Sequence, residues 1–249
     1  MIYITGDTHG DYSRFTNEEF PLQAELTKDD YVIICGDFGI WDNSRIENYN
    51  FDFLESRPFT TLFVDGNHEN YDLLNRFPVR KWHGGYVQYI RPSVIHLMRG
   101  NLYHIDGSTF FTMGGAACHD IQDGILDPKK KDYHRKKARL IRHGRKYFRV
   151  KGISWWEQEL PSDEEYDKAI DTLEKCSYKV DYIITHCAPD YIVEGVFGIN
   201  ERNRLTKFLG EIGQKCEFQN WFFGHYHRDL KVGDKYYLLY NQIIPLPND

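Results

Sequence analysis

Short apolar runs alternate with amphipathic stretches along this chain, and the alternation indicates an α/β arrangement. The apolar runs are rich in Ile, Val, Tyr and Phe, which favour buried strands. Seven runs predict strands: Ile2–Thr5, Tyr31–Cys35, Thr61–Val64, Thr109–Met113, Tyr182–Thr185, Trp221–Phe223 and Lys235–Tyr240. Helices are predicted between them, one from the capping pattern Ser162-Asp-Glu-Glu165 to about Cys176, and another over Glu201–Ile212.

Polar side chains of the metal-binding type follow five of these strands directly. The five clusters are Gly6-Asp7-Thr8-His9-Gly10, Gly36-Asp37-Phe38-Gly39, Gly66-Asn67-His68-Glu69, Thr185-His186-Cys187-Ala188-Pro189 and Gly224-His225-Tyr226-His227. Each cluster alone is typical of an ordinary loop. Loops at the carboxyl ends of strands converge in open α/β sheets, so the five together predict one shared polar centre.

The spacing within two of the clusters suits a metal site. Residues two apart in an extended chain point the same way, so Asp7 with His9, and His225 with His227, can each reach one site. Imidazole, carboxylate and amide groups favour divalent Mn, Fe, Zn, Co or Ni.

Taken in order, the motifs GDTHG, GDFG, GNHE, THCAP and GHYH resemble those of the calcineurin-like metallophosphoesterase superfamily. The motifs extend from Asp7 to His227, which is nearly the whole chain. The resemblance implies an α/β (α+β) fold in which two mixed β-sheets pack as a sandwich flanked by helices, in four layers. We therefore expect a single domain of this kind over residues 1–249.

The resemblance also implies a metal-dependent phosphoesterase, which hydrolyses a phosphomonoester or phosphodiester through a metal-bridging hydroxide in a dinuclear centre. Two divalent transition-metal ions are the expected cofactors, manganese first and Fe, Zn, Co or Ni as alternatives. The implied ligands are Asp7, His9, Asp37 and His227 for one ion, and Asp37, Asn67, His186 and His225 for the other. Asp37 would bridge the two ions. By the same resemblance His68 would contact the phosphate and protonate the leaving group; the alternative is that it hydrogen-bonds a carbonyl.

A strongly basic segment interrupts the otherwise acidic chain. Residues 128–151 contain twelve Lys and Arg residues against one Asp, a charge of +11, so the rest of the chain carries −17. We expect an insertion that forms an arm beside the metal centre and attracts an anionic, nucleotide-like or nucleic-acid substrate. The alternative is a solvated face that pairs with the acidic body. Two other functions stay open, a metal-binding scaffold and a nucleic-acid-binding module.

Net charge, apolar runs and cysteine pattern indicate where the protein is located and which partners it attracts. The net charge of −6 gives no overall attraction to nucleic acid or to anionic membranes. No apolar run approaches the roughly 20 residues that a membrane helix needs, and no secretory signal is visible. The five cysteines form no CxxC pair, which predicts reduced thiols and a cytoplasmic protein. Histidines outside the five clusters are expected at the surface or hydrogen-bonded, with His119 nearest to a motif-like loop.

Overall fold

Fifteen β-strands and six α-helices are formed by residues 1–199 and 201–247, which are the residues that the computed structural model describes. The strands, in chain order, are β1 (Ile2–Thr5), β2 (Tyr31–Ile34), β3 (Thr60–Phe63), β4 (Val79–Trp82), β5 (Gly85–Arg91), β6 (Val94–Leu97), β7 (Asn101–Ile105), β8 (Ser108–Met113), β9 (Gly124–Leu126), β10 (Phe148–Val150), β11 (Tyr182–Thr185), β12 (Asn220–Phe223), β13 (Leu230–Val232), β14 (Tyr236–Leu238) and β15 (Ile243–Pro245). The helices are α1 (Arg45–Glu55), α2 (Tyr71–Leu74), α3 (Tyr133–Arg142), α4 (Asp163–Lys175), α5 (Asp190–Phe197) and α6 (Arg204–Lys215).

The two large sheets are both mixed. The first has the strand order β15-β1-β2-β3-β6-β5-β4, and its strands β1, β2, β3 and β6 are parallel. The second has the order β13-β14-β12-β11-β8-β7, and its strands β14, β12, β11 and β8 are parallel. The predicted fold of two mixed sheets with flanking helices is confirmed.

Alternating side chains divide the core into layers. Ile33 of β2 and Ile184 of β11 belong to one apolar cluster that both sheets share, so the sheets pack face to face. Val32, the neighbour of Ile33, lies instead in the cluster that contains residues of α1. Ile183, beside Ile184, packs with residues of α4 and α6. Each sheet therefore carries helices on its outer face, which gives four layers.

Two helix boundaries show how local chemistry decides where a helix begins. At α4 the prediction is confirmed, since the Ser162 hydroxyl accepts from the Glu165 N–H at 3.3 Å and the Glu165 carboxylate accepts from the Ser162 N–H at 2.8 Å. The predicted helix over Glu201–Ile212 is displaced, because Asn203 caps α6 and the helix begins at Arg204.

Helix α6 also continues through Gly213, where the sequence predicts that it ends. A Cβ atom at Gly213 would lie 2.2 Å from the Tyr191 hydroxyl of α5. The glycine is therefore explained by the close approach of two helices rather than by a helix end.

The basic segment folds as a small unit beside the two large sheets. Strands β9 and β10 pair in parallel as a separate sheet, and α3 connects them; we call β9, α3 and β10 the basic arm. Leu126, Tyr133 and Val150 form its small core. Most of its Lys and Arg side chains are exposed, as a solvated helix face requires.

All five cysteines are free thiols. Burial raises the pKa of the Cys187 thiol well above its ordinary value, so this residue beside His186 is a poor nucleophile.

None of the helices within the described ranges combines the length and apolarity that a membrane crossing requires. The cytoplasmic location stays a prediction.

Candidate metal centre

The loops that follow β1, β2, β3, β11 and β12 meet at one edge of the sandwich. Parallel pairing within each sheet places the carboxyl ends of these strands side by side. The side chains brought together there are Asp7, His9, Asp37, Asn67, His68, His186, His225 and His227. All residues that the sequence proposes for the site therefore lie in one region.

Four of these residues form a tight group. One ligand atom from each of Asp7, His9, Asp37 and His227 lies within 4.8 Å of the other three. The Nε2 atoms of His9 and His227 are 3.0 Å apart, and His227 Nε2 is 3.2 Å from Asp7 Oδ2. Two imidazole nitrogens and two carboxylates facing a common point form a donor set that fits a divalent cation.

A second group adjoins the first through Asp37. His186 Nε2 lies 3.3 Å from Asp37 Oδ1 and 3.3 Å from Asn67 Oδ1. His186 Nδ1 lies 2.8 Å from the carbonyl oxygen of Cys35, which fixes Nδ1 as the donor to the backbone and leaves Nε2 for the site. His225 is only 9% exposed, and within the described residues its Nε2 has no hydrogen-bond partner. A buried nitrogen without a partner is the feature that a bound cation would explain.

The electrostatics of the site also favour positive charge. Burial lowers the pKa of His186, but Asp37 and Asp7 outweigh it and raise the value to about 10. Burial opposes ionisation of Asp37, yet His186 and the neighbouring histidines hold its pKa well below the ordinary value. Burial and the charge of His186 lower the pKa of His225, so that imidazole is neutral and its lone pair is available.

Four of the clustered residues have left-handed backbones. The φ angles are 48° at His9, 46° at Asp37, 70° at His225 and 48° at His227. The extended-chain reasoning from the sequence therefore fails for His225 and His227: the His227 nitrogen faces His9, whereas the His225 ring lies 4.9 Å from that of His186. Strained backbone of this kind is typical of functional sites.

Two motif glycines leave the space that the carboxylates occupy. A Cβ atom at Gly66 would lie 2.0 Å from Asp37 Oδ1, and one at Gly224 would lie 2.0 Å from Asp7 Oδ1. These glycines are therefore required because a side chain from another strand passes against them.

Glu69 holds the Asp37 loop through hydrogen bonds to its backbone, a role that the sequence analysis does not assign. Its buried carboxylate accepts hydrogen bonds from the N–H groups of Phe38, Gly39 and Ile40 at 2.6, 3.1 and 2.9 Å. These bonds hold the turn that gives Asp37 its positive φ. The sequence carries no local signal for this role, because Glu69 lies 29 to 31 residues from the amides that it binds.

His68 stands at the mouth of the site. Its backbone N–H donates to Asp37 Oδ1 at 2.8 Å, and its ring lies 5.4 Å from that of His9. No group in residues 1–199 and 201–247 hydrogen-bonds a ring nitrogen of His68, so the alternative carbonyl bond is not observed there. Burial lowers the pKa of His68, Asp37 opposes this, and the charge of Arg149 lowers the pKa further.

A cleft of about 330 Å³ opens over these side chains. Asp37, Asn67, His68 and His225 line it, together with His119 and Asp120. His119 Nε2 lies 3.1 Å from Glu201 Oε1, and this partner raises the pKa of His119. The expectation that His119 is at the surface or hydrogen-bonded is confirmed, and its exposed ring also lines the cleft.

A buried ion pair stabilises the end of β3, directly before the third motif. Asp65, directly before Gly66, accepts from the Arg99 guanidinium and, at 2.8 Å, from the Tyr71 hydroxyl. His96 Nε2 lies 3.1 Å from its other oxygen, and all four side chains are buried. This network holds the end of β3, from which Asn67 and His68 emerge.

Replacing Arg99 with Met is expected to lower the free energy of unfolding by about 3–5 kcal/mol, because Asp65 would be left buried without its main partner. Urea unfolding followed by circular dichroism measures the change. The exposed Arg76→Met is the control, with an expected change within about 0.5 kcal/mol. Adding Asp65→Leu to Arg99→Met should recover part of the loss; a loss below about 1 kcal/mol in the single variant would contradict this reading.

Two mixed sheets with carboxylates and imidazoles gathered at their strand ends form the kind of site that holds divalent metal ions. Comparison with known families agrees: the family model for calcineurin-like phosphoesterase matches residues 1–229. The chain belongs to the calcineurin-like phosphoesterase family, whose members hydrolyse phosphate esters and generally use two divalent metal ions. No curated protein matches the chain. A single domain reaching to residue 249 stays a prediction.

Proposed function

We propose that this protein hydrolyses a phosphomonoester or phosphodiester with two divalent transition-metal ions, manganese first among the candidates. One observation carries the proposal: buried carboxylates and imidazoles converge around Asp37, with His225 Nε2 lacking a hydrogen-bond partner among the described residues. The proposed ligands are Asp7, His9, Asp37 and His227 for the first ion, and Asp37, Asn67, His186 and His225 for the second.

The donor set suits the ions in both type and charge. Two carboxylates and an amide oxygen combine with imidazoles, and no thiolate takes part, because Cys35 and Cys187 are buried with raised pKa values. When bound, the two ions would neutralise charge on the phosphoryl oxygens and lower the pKa of a water at the site.

The protein's own residues prepare the site in three ways. Asp37 contacts both groups of side chains, so a single carboxylate sets their separation. The bond from His186 Nδ1 to the Cys35 carbonyl fixes the orientation of that ring. Glu69 fixes the Asp37 turn through three backbone amides. Such preorganisation reduces the rearrangement needed when charge develops in the transition state.

We assign proton donation to His68. Its ring lies at the cleft, beside Asp37, and hydrogen-bonds no described residue, so it is free to face the leaving oxygen. The lowered pKa makes the charged ring a stronger acid but reduces the fraction that is charged at neutral pH, so the assignment rests on the position of the ring.

Removing divalent metal is expected to abolish hydrolysis of p-nitrophenyl phosphate, and adding Mn²⁺ should restore it, since the site needs its cations to neutralise the phosphoryl charge. Protein is dialysed against chelator, its fold is checked by circular dichroism, and nitrophenol release is followed with Mn²⁺ or with Mg²⁺ as the control ion. Comparing bis-p-nitrophenyl phosphate in the same assay separates diester from monoester preference. Full activity in the metal-free protein would sink the proposal, and a metal-binding protein without activity would indicate a scaffold.

The basic arm supports a substrate rich in phosphate. Its exposed Lys and Arg side chains, set on an otherwise acidic chain, attract polyanions at low salt. Nucleic acid is the second candidate ligand, and a gel shift that weakens steeply with salt would identify it.

A further inference from the structure

Arg149 links the basic arm to the cleft through Asp120. It lies in β10, and its guanidinium forms an ion pair with Asp120, which lines the cleft beside His68. Its side chain is 23% exposed, whereas that of Arg145, in the loop between α3 and β10, is 63% exposed. Arg149 is thus a cation of the basic arm whose side chain is held beside the site and is not extended into solvent.

Asp120 brings Arg149 close to His68, because Asp120 and His68 line the same cleft. His68 is the residue to which we assign proton donation to the leaving group. Through Asp120, Arg149 therefore borders the part of the cleft to which we assign the leaving group.

The guanidinium also has unused hydrogen-bonding capacity. An arginine side chain offers five N–H donors in a planar fork, and this fork matches a phosphate in a two-point contact. Within residues 1–199 and 201–247, Asp120 is the only hydrogen-bond acceptor of the Arg149 guanidinium. Asp120 orients the side chain through one nitrogen and leaves the rest of the fork for an anion.

We propose that Arg149 binds a second phosphate, carried by the leaving group of the substrate. The substrate class is then a phosphate ester whose leaving group is itself phosphorylated, as in a nucleoside bisphosphate. This inference rests on the proposed function, because it places the second phosphate relative to the hydrolysed one. A fixed arginine close to His68 would hold that leaving group beside the proton donor.

The test compares two matched substrates, adenosine 3′,5′-bisphosphate and adenosine 3′-monophosphate. Wild-type protein is expected to favour the bisphosphate by about 10-fold or more in kcat/KM. Arg149→Gln should lower kcat/KM for the bisphosphate by about 10- to 100-fold, the worth of a charged hydrogen-bonded contact, and for the monophosphate by less than about 3-fold. Arg149→Lys keeps the charge but loses the fork, so it should restore only part of the preference.

The exposed Arg142→Gln is the matched control, since it removes the same charge from the same arm at the end of α3. An equal loss in both variants would mean that the arm acts through its overall field, and would overturn the assignment of Arg149. An unchanged substrate preference in Arg149→Gln would overturn it too.

Binding separates failure of this inference from failure of the proposed function. If wild-type protein hydrolyses neither adenosine compound nor p-nitrophenyl phosphate, the proposed function fails. Calorimetric titration of adenosine 3′,5′-bisphosphate into wild-type and Arg149→Gln protein then decides whether Arg149 contacts a phosphate. Weaker binding to the variant supports the phosphate contact, and equal affinity refutes it.

Discussion

Replacing Asp37 with Asn is expected to reduce phosphoesterase activity by ~10³-fold or more and to weaken both metal sites together. One carboxylate adjoins both groups of side chains, and a neutral amide cannot supply its charge. Metal ions contribute several kcal/mol to phosphoryl transfer, and each 1.36 kcal/mol corresponds to a factor of ten in rate. Activity and metal content, measured by plasma emission spectrometry on dialysed protein, report the two effects separately.

The exposed Asp29→Asn is the matched control, because it makes the same change far from the strand-end clusters. It should retain both ions and full activity. If Asp37→Asn protein still held two ions tightly after dialysis, Asp37 would not be the bridge.

Replacing His68 with Ala should leave both metal sites intact and lower kcat by about 10²–10⁴-fold, the usual contribution of general acid–base catalysis. Asn67 beside it is the proposed ligand, so the loss concerns the proton and the phosphate contact rather than the ions. Steady-state kinetics with Mn²⁺ and metal analysis of the same sample measure both quantities.

Leaving-group dependence provides the internal control for His68. A nitrophenolate departs without a proton, whereas an alkyl alkoxide needs one, so the variant should lose more activity on the alkyl ester. Equal losses on both substrates would refute the acid role and leave His68 as a phosphate-binding residue.

Much of the fold was accessible from the sequence because its strands are short, apolar and rich in β-branched residues. Ile2–Thr5 and Tyr182–Thr185 coincide with β1 and β11, and the Ser162 capping pattern marks the start of α4. The outer strands were not predicted, since Val79–Trp82 is exposed and polar and lacks the buried pattern. The predicted bounds of helix α6 were displaced for two reasons. Asn203 caps the start of the helix, and Gly213 makes room for Tyr191 of the neighbouring helix instead of ending α6.

The site was predictable as a set of residues but not as a geometry. Motif order identifies which side chains converge, whereas the positive φ at His225 and His227 reverses the inference drawn from extended spacing. The supporting residues were missed for another reason. Glu69 and Asp65 act through backbone amides and a buried arginine that are distant in sequence, and no local pattern records such pairings.

The site draws its side chains from both sheets. Asp7, Asp37 and Asn67 follow strands of the first sheet, whereas His186 and His225 follow strands of the second. The apolar layer between the sheets therefore sets the spacing of the proposed ligands, and bound ions would in turn link one sheet to the other. A small shift of one sheet relative to the other would abolish activity before the chain unfolds. Catalytic activity therefore reports on the relative position of the two sheets.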